Sequence, residues 1–294
     1  MPPTHILIAM FVVAVWPLNF VAIRVGLDDL PPIFMAAVRF ALTAFPAVFF
    51  IRPPEAPRAM VAWYGVLVFA MQFGLLFCAM AVGLPPALAA VALQLAVFVT
   101  IGLAWVFQGE RVTPMQLLGA GIAACGLLLI AANTGEDVTV AGLVLGLLAA
   151  CCWGAGNIVG KSIGKVNMLA LIVWSSLAAL PLFALSFLVE GPERIAQAAS
   201  NLSWRGVLAV AFIVYVSTHM GYSAWAWLMA RHPAAVVAPF TLLVPITAAG
   251  LSAWLLDESF PGWKLAGGGL VIGGVVVNLL GPRLAATLRR TRTT

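Results

Sequence analysis

Asn19 sits three residues past Trp16 and two past Pro17, inside an apolar run that begins near residue 5. An amide in such a run is costly to desolvate unless it is bonded, and Pro17 removes a backbone donor from any helix there. A similar set returns at Trp153, Gly154 and Asn157. Gln72 and Gln94 lie deep in two further apolar runs, and Tyr215, His219 and Tyr222 follow at i, i+4 and i+7, the spacing of one α-helical face. These side chains exchange hydrogen bonds and offer aromatic faces. Their chemistry is that of holding a small polar or aromatic molecule. The asparagines could instead bond helix to helix, and His219 could simply pack.

Catalysis asks for other patterns. Neither HExxH nor GxSG occurs, His219 has no second deep histidine or acid near it, and Ser217 faces elsewhere on the helix. We therefore expect no enzyme. Cys78, Cys125, Cys151 and Cys152 fall inside apolar runs with no CxxC pair, so neither a metal site nor a disulfide framework is expected, and no cofactor. A second role open to His219 is proton coupling, because imidazole titrates near neutral pH.

The elements that must position these residues are membrane helices. Of 294 residues, 63% are hydrophobic and 9% charged, and mean hydropathy is +1.09. A soluble domain carries about 25% charged residues. A span needs roughly 20 mostly apolar residues. The sequence divides into spans at 5–25, 32–51, 59–82, 87–107, 115–132, 139–160, 168–189, 205–230, 234–256 and 263–281. The expected class is thus an all-α integral membrane protein of ten transmembrane helices. Connections are short, and EGPERIAQAASNLSWR alone has room for a surface helix. The first run lacks Lys or Arg before Arg24 and is too long for a signal-peptide core, so it reads as a permanent span.

Ten spans place both termini on one side. Arg24, Arg194, Arg205 and Lys264 fall at the other side and Arg39 within a span, leaving ten of the 15 basic residues with the termini. Asp28, Asp29, Glu136, Asp137, Glu190, Glu193, Asp257 and Glu258 fall opposite. The positive-inside rule makes the termini cytoplasmic. The basic tail RLAATLRRTRTT suits anionic lipid rather than nucleic acid. Arg39 needs a partner, either a carbonyl or a loop acid across the bundle.

The chain also repeats. Trp16 aligns on Trp153 and Arg24 on Lys161. GERVTPMQLLGAGIAACG aligns without gaps on DESFPGWKLAGGGLVIGG, so Glu110 meets Glu258, Gly119 meets Gly267 and Gly126 meets Gly274. Two five-span halves, 1–133 and 134–294, must then run in opposite orientations, as in many secondary transporters whose site lies between the halves. Glu110 and Glu258 are expected to cap the helix that follows each. Gly142–Gly146 and Gly269–Gly273 have GxxxG spacing, suited to packing within the molecule.

Trp16, Pro17 and Asn19, their copy at Trp153, Gly154 and Asn157, the Arg39–Phe40 pair, and Glu110 and Glu258 ahead of glycine-rich spans together resemble the EamA type of the drug/metabolite transporter superfamily over essentially the whole chain. The resemblance implies ten helices, inverted repeats and export of small metabolites, and is greatest to YddG-type exporters of aromatic and other neutral amino acids. It departs at Pro17, where glycine is commoner.

No span carries a central carboxylate, which argues against small-multidrug proton antiport, and no cationic cluster suits phosphorylated cargo. The reading is a bacterial inner-membrane, multi-pass exporter of neutral or zwitterionic metabolites, acting as a monomer by alternating access. The alternative is a multidrug or other metabolite exporter of the same family, proton-coupled in one form. The expected substrate contacts are Trp16, Asn19, Gln72, Gln94, Trp153, Asn157, Tyr215, His219 and Tyr222. The expected gating hinges are Pro17, Gly154, Pro239 and Pro245.

Overall fold

The computed structural model describes residues 1–84, 86–133, 139–247 and 262–291, and every regular element among them is helical. In chain order the apolar helical runs are α1 (Pro3–Leu27), α2 (Pro32–Phe49), α3 (Arg58–Met80), α4 (Leu88–Gln108), α5 (Pro114–Leu129), α6 (Val140–Ile163), α7 (Met168–Val189), α8 (Trp204–Met229), α9 (Ala234–Thr247) and α10 (Leu265–Gly281). Seven are long and apolar enough to cross a bilayer; α5, α9 and α10 are shorter. The chain is a multi-pass membrane protein. Each run lies within a few residues of its expected span. The expected continuation of the ninth span to 256 lies outside the described residues, as do Glu136, Asp137, Asp257 and Glu258. A short surface helix, Pro192–Ser200, fills the connection that has room for one.

Local sequence sets the ends. Proline opens α1, α2 and α5, where its missing N–H costs nothing. Thr139, Asn167 and Ser203 cap α6, α7 and α8, each side chain accepting from a backbone N–H at 3.1 Å. Thr113 and Gln116 form a reciprocal cap at the start of α5: the Thr113 N–H donates to Gln116 Oε1 at 2.9 Å, and the Gln116 N–H donates to Thr113 Oγ1 at 3.3 Å. That pair does the work expected of Glu110, which goes elsewhere.

Several helices depart from α geometry in the bundle interior. α3 widens to a π-helix over Val66–Met71, and α8 does so over Phe212–Tyr222. α4 breaks at residues 93–94, and α9 tightens to 3-10 over Ala238–Leu242. α1 runs unbroken through Pro17. Its missing N–H frees the Val13 carbonyl, which the Thr247 hydroxyl of α9 approaches at 3.4 Å.

α5 and α10 meet backbone to backbone. A Cβ on Gly119 would lie 2.5 Å from the Gly274 carbonyl oxygen, and one on Gly126 would lie 2.6 Å from that of Gly267. Gly119 aligns with Gly267, and Gly126 with Gly274. Each glycine therefore contacts the counterpart of the other, as antiparallel helices related by a two-fold axis do. Asn278 Nδ2 donates to the Gln116 carbonyl at 3.1 Å across the same seam. Gly142 and Gly146 also pack inside the molecule, against Leu84 among others, whereas Gly269 and Gly273 face open space.

Candidate functional site

A cavity of about 200 Å³ opens inside the bundle. One end is formed by Ile23 and Leu27 of α1, Met80 of α3 and Ala89 of α4, away from the N-terminus. Apolar walls come from Phe73, Leu76, Phe77, Leu93 and Val244, among others. The polar lining is sparse: Asn19, Arg39, Gln72, Gln94, Ser217 and Thr241. No acidic residue among the described residues lines it.

The opposite end is floored by aromatics. Trp16 stands 5.6 Å from Trp153, 5.2 Å from Tyr222 and 5.5 Å from Trp225, centroid to centroid. Edge and tilted geometries at this spacing suit ring quadrupoles. Gly221 leaves room for Trp16: a Cβ there would sit 2.9 Å from the indole nitrogen.

Six of the expected contacts line this cavity: Trp16, Asn19, Gln72, Gln94, Trp153 and Tyr222. Asn157 does not. Its Oδ1 accepts from the Trp225 indole at 2.9 Å and its Nδ2 donates to Thr100 Oγ1 at 3.1 Å, so both ends of the amide serve to join α6, α8 and α4. Tyr215 and His219 do not line it either. His219 Nε2 lies 2.9 Å from the Thr43 carbonyl, and Tyr215 is 57% exposed, in a surface groove with Leu30 and Phe34.

The π-helix explains the split. At about 100° per residue, seven residues bring Tyr215 and Tyr222 back to one face. An i→i+5 turn advances only roughly 80° per residue, so seven residues end nearly opposite. Four residues still return close to the start, and Tyr215 and His219 stay neighbours, 5.7 Å apart.

Arg39 is a charged lining residue that sequence reasoning left off the site, as it did the polar Ser217 and Thr241. It is 3% exposed. Its Nε donates to Thr218 Oγ1 at 2.8 Å, and its Cζ lies 4.7 Å from the Phe73 centroid and 5.2 Å from that of Phe40. The expected partner, a carbonyl or a loop acid, is absent among the described residues. Buried charge alone was the available signal.

Beyond the floor, the end nearest the N-terminus is tied shut. Lys161 Nζ lies 2.8 Å from Glu110 Oε1, donates to the Met229 carbonyl at 3.1 Å and also donates to that of His232. Glu110 Oε2 accepts from the Ala234 N–H at 2.7 Å. Glu110 thus caps α9 in the other half of the chain, not the helix that follows it. His5 Nδ1 and His232 Nε2 meet at 2.6 Å alongside. Burial first, then the nearby His5 and N-terminal amine, hold His232 below the usual histidine range. Carboxylates cap across halves elsewhere too: Glu190 accepts from the Ile33 and Phe34 N–H groups at 2.6 and 2.8 Å.

Of the expected hinges, Pro17 lies mid-helix. Gly154 is a close-approach point, where a Cβ would meet Val99 Cγ1 at 2.6 Å. Pro239 sits in the 3-10 segment of α9, with Pro245 just after it.

Comparison with known proteins agrees with this architecture. The EamA-like transporter family model matches residues 3–132 and 140–280. A probable amino-acid metabolite efflux pump of Salmonella typhimurium is 37% identical over 96% of this chain and 97% of its own length. A protein of the same description from Escherichia coli K12 is 36% identical, over 94% and 95%. An uncharacterized inner membrane transporter of Escherichia coli K12 is 24% identical over 95% and 90%. A crystal structure at 19% identity shares the fold, with a TM-score of 0.79 over 97% of this chain and 99% of that one. The chain belongs to the EamA-like transporter family, within the drug/metabolite transporter superfamily.

Proposed function

We propose that this protein exports small neutral or zwitterionic metabolites, amino acids foremost, by alternating access around the central cavity. The observation that carries the reading is the cavity itself. It is apolar-walled with a few convergent polar groups, and at about 200 Å³ it is smaller than the roughly 300–1,000 Å³ typical of drug-sized ligands. That size favours metabolites over bulky drugs. The efflux-pump description of the relatives from Salmonella and Escherichia coli supports the same substrate class.

The mechanism follows from two halves, 1–133 and 134–294, of five helices each in opposite orientations. The exchanged glycine contacts of α5 and α10 support that division. With both termini cytoplasmic in a bacterial inner membrane, the tied end is the inner one and the cavity faces out. Export then requires the Glu110–Lys161 tie to release while the far end closes. The α4 break and the α9 3-10 segment, with Pro239 and Pro245, are where bending is easiest; Pro17 and Gly154 flank the floor. A monomer suffices, because the cavity is built within one chain.

The test is efflux from proteoliposomes of labelled tryptophan, phenylalanine, alanine and a quaternary-ammonium drug, without and then with a pH gradient. Amino-acid efflux without a gradient supports a facilitative exporter. Drug efflux alone overturns the substrate reading, and strict gradient dependence overturns the facilitative one.

A further inference from the structure

We propose that Arg39 is the docking group for the substrate carboxylate, and that the amide oxygens of Asn19, Gln72 and Gln94 receive its ammonium group. The site would thus select free zwitterionic amino acids. This inference rests on the export reading above.

Arg39 is buried and stays charged at any physiological pH. Of its five N–H donors, one is used by Thr218. Its terminal nitrogens donate to nothing among the described residues. The rings of Phe73, Phe40 and Tyr222 offset part of its desolvation. No carboxylate among the described residues lines the cavity to offset the rest. A guanidinium with free donors, facing a low-dielectric cavity, is built to take a planar anion through paired hydrogen bonds.

The second observation is independent of the first. Asn19 Oδ1, Gln72 Oε1 and Gln94 Oε1 are all buried without a hydrogen-bond partner among the described residues, and all three side chains line this cavity, as do the likewise unpartnered Trp16 and Trp153 indole nitrogens and Ser217 Oγ. Gln94 is oriented by its own amide nitrogen, which donates to the Ala90 carbonyl at 3.2 Å. An ammonium group has three donors and no acceptor, which matches three orphaned acceptors. Buried unpaired acceptors are otherwise rare.

Together these groups reject partial matches. A cation without a carboxylate would meet the unpaired charge of Arg39. A quaternary ammonium has no donor for the amide oxygens. An acid without an amine would leave those oxygens orphaned.

The experiment compares labelled L-phenylalanine, its primary amide and 3-phenylpropionate in proteoliposomes containing the full-length protein, with wild type, Arg39→Lys and Arg39→Gln. Loss of a charge-assisted bond corresponds to about 10- to 100-fold. Wild type is expected to favour phenylalanine over both truncated compounds by about that factor. Arg39→Gln is expected to lose this preference against the amide, with Arg39→Lys intermediate. Equal transport of phenylalanine and its amide by wild type overturns the assignment, and so does wild-type preference retained in a folded Arg39→Gln. If that variant does not fold, the wild-type series decides. Transport of alanine and tryptophan without carboxylate preference sinks this inference alone; transport of no amino acid sinks the export reading as well.

Discussion

Replacing Lys161 by methionine should loosen the end of the bundle nearest the N-terminus. The ammonium lies 2.8 Å from Glu110 Oε1 and 3.1 Å from the Met229 carbonyl, and it also bonds the His232 carbonyl. Methionine keeps the aliphatic stem and removes all three contacts. Hydrogen bonds to a charged group contribute about 1.5–3 kcal/mol each when buried, while exposed ion pairs contribute about 0.2–1 kcal/mol. The side chains are 13% and 17% exposed, nearer the buried limit. The two carbonyls also regain water once the end opens. We expect a net loss of about 2–3 kcal/mol, or roughly 30- to 150-fold in the closed-to-open ratio. The readout is hydrogen exchange at the Ala234 amide, which Glu110 holds at 2.7 Å and which exchanges only when this end opens. Glu110→Gln should act similarly, and the double variant should add little to either single one. Exchange within about threefold of wild type in both single variants, or fully additive effects, would refute the tie.

Three other outcomes follow from the geometry. Gly119→Leu must separate α5 from α10, since even a Cβ would sit 2.5 Å from a backbone oxygen; we expect a loss of about 3 kcal/mol or more and a lower melting temperature in detergent. Asn157→Ala strips partners from the Trp225 indole and Thr100, and should cost about 1–3 kcal/mol of stability while leaving substrate affinity unchanged, as should His219→Ala; a large affinity loss in either would return them to the site. His232 is held below its ordinary range in the folded state, so its contribution is complete above about pH 6.5 and falls away as pH drops through the lowered value. Melting temperature should therefore decline on acidification from about pH 7 to 5, and less so in His232→Gln.

How far the sequence revealed this molecule depends on which physical rule governs each part. The seven long spans were legible because lipid imposes a minimum length and an apolar composition on a crossing helix. The Gly119 and Gly126 seam was visible as a repeat, since only glycine tolerates backbone contact. The floor was legible too, because Trp16 and Trp153 stand out in apolar runs. The failures have separate physical roots, and the first is that local periodicity was read as α-helical where the chain is not. The π-helix of α8 turned Tyr215 away from Tyr222, and nothing in FIVYVSTHMGY announces an i→i+5 turn. Glu110 was assigned to its nearest helix, but a carboxylate caps whichever helix start lies closest in space. Arg39 looked structural because a charge in a span demands a partner, and one sequence cannot show that the partner is absent among the described residues.

Among the described residues the lining holds one fixed cation and no fixed anion, which bears on how membrane voltage acts on the protein. Moving an elementary charge through the whole field is worth about 2.3 kcal/mol per 100 mV. Arg39 carries its charge whether the cavity is empty or full, so the voltage biases the empty and the loaded protein alike. A zwitterion adds no net charge to either. Net export of such cargo would then be electrically silent, directed by the concentration gradient alone, and its direction would reverse when that gradient is reversed.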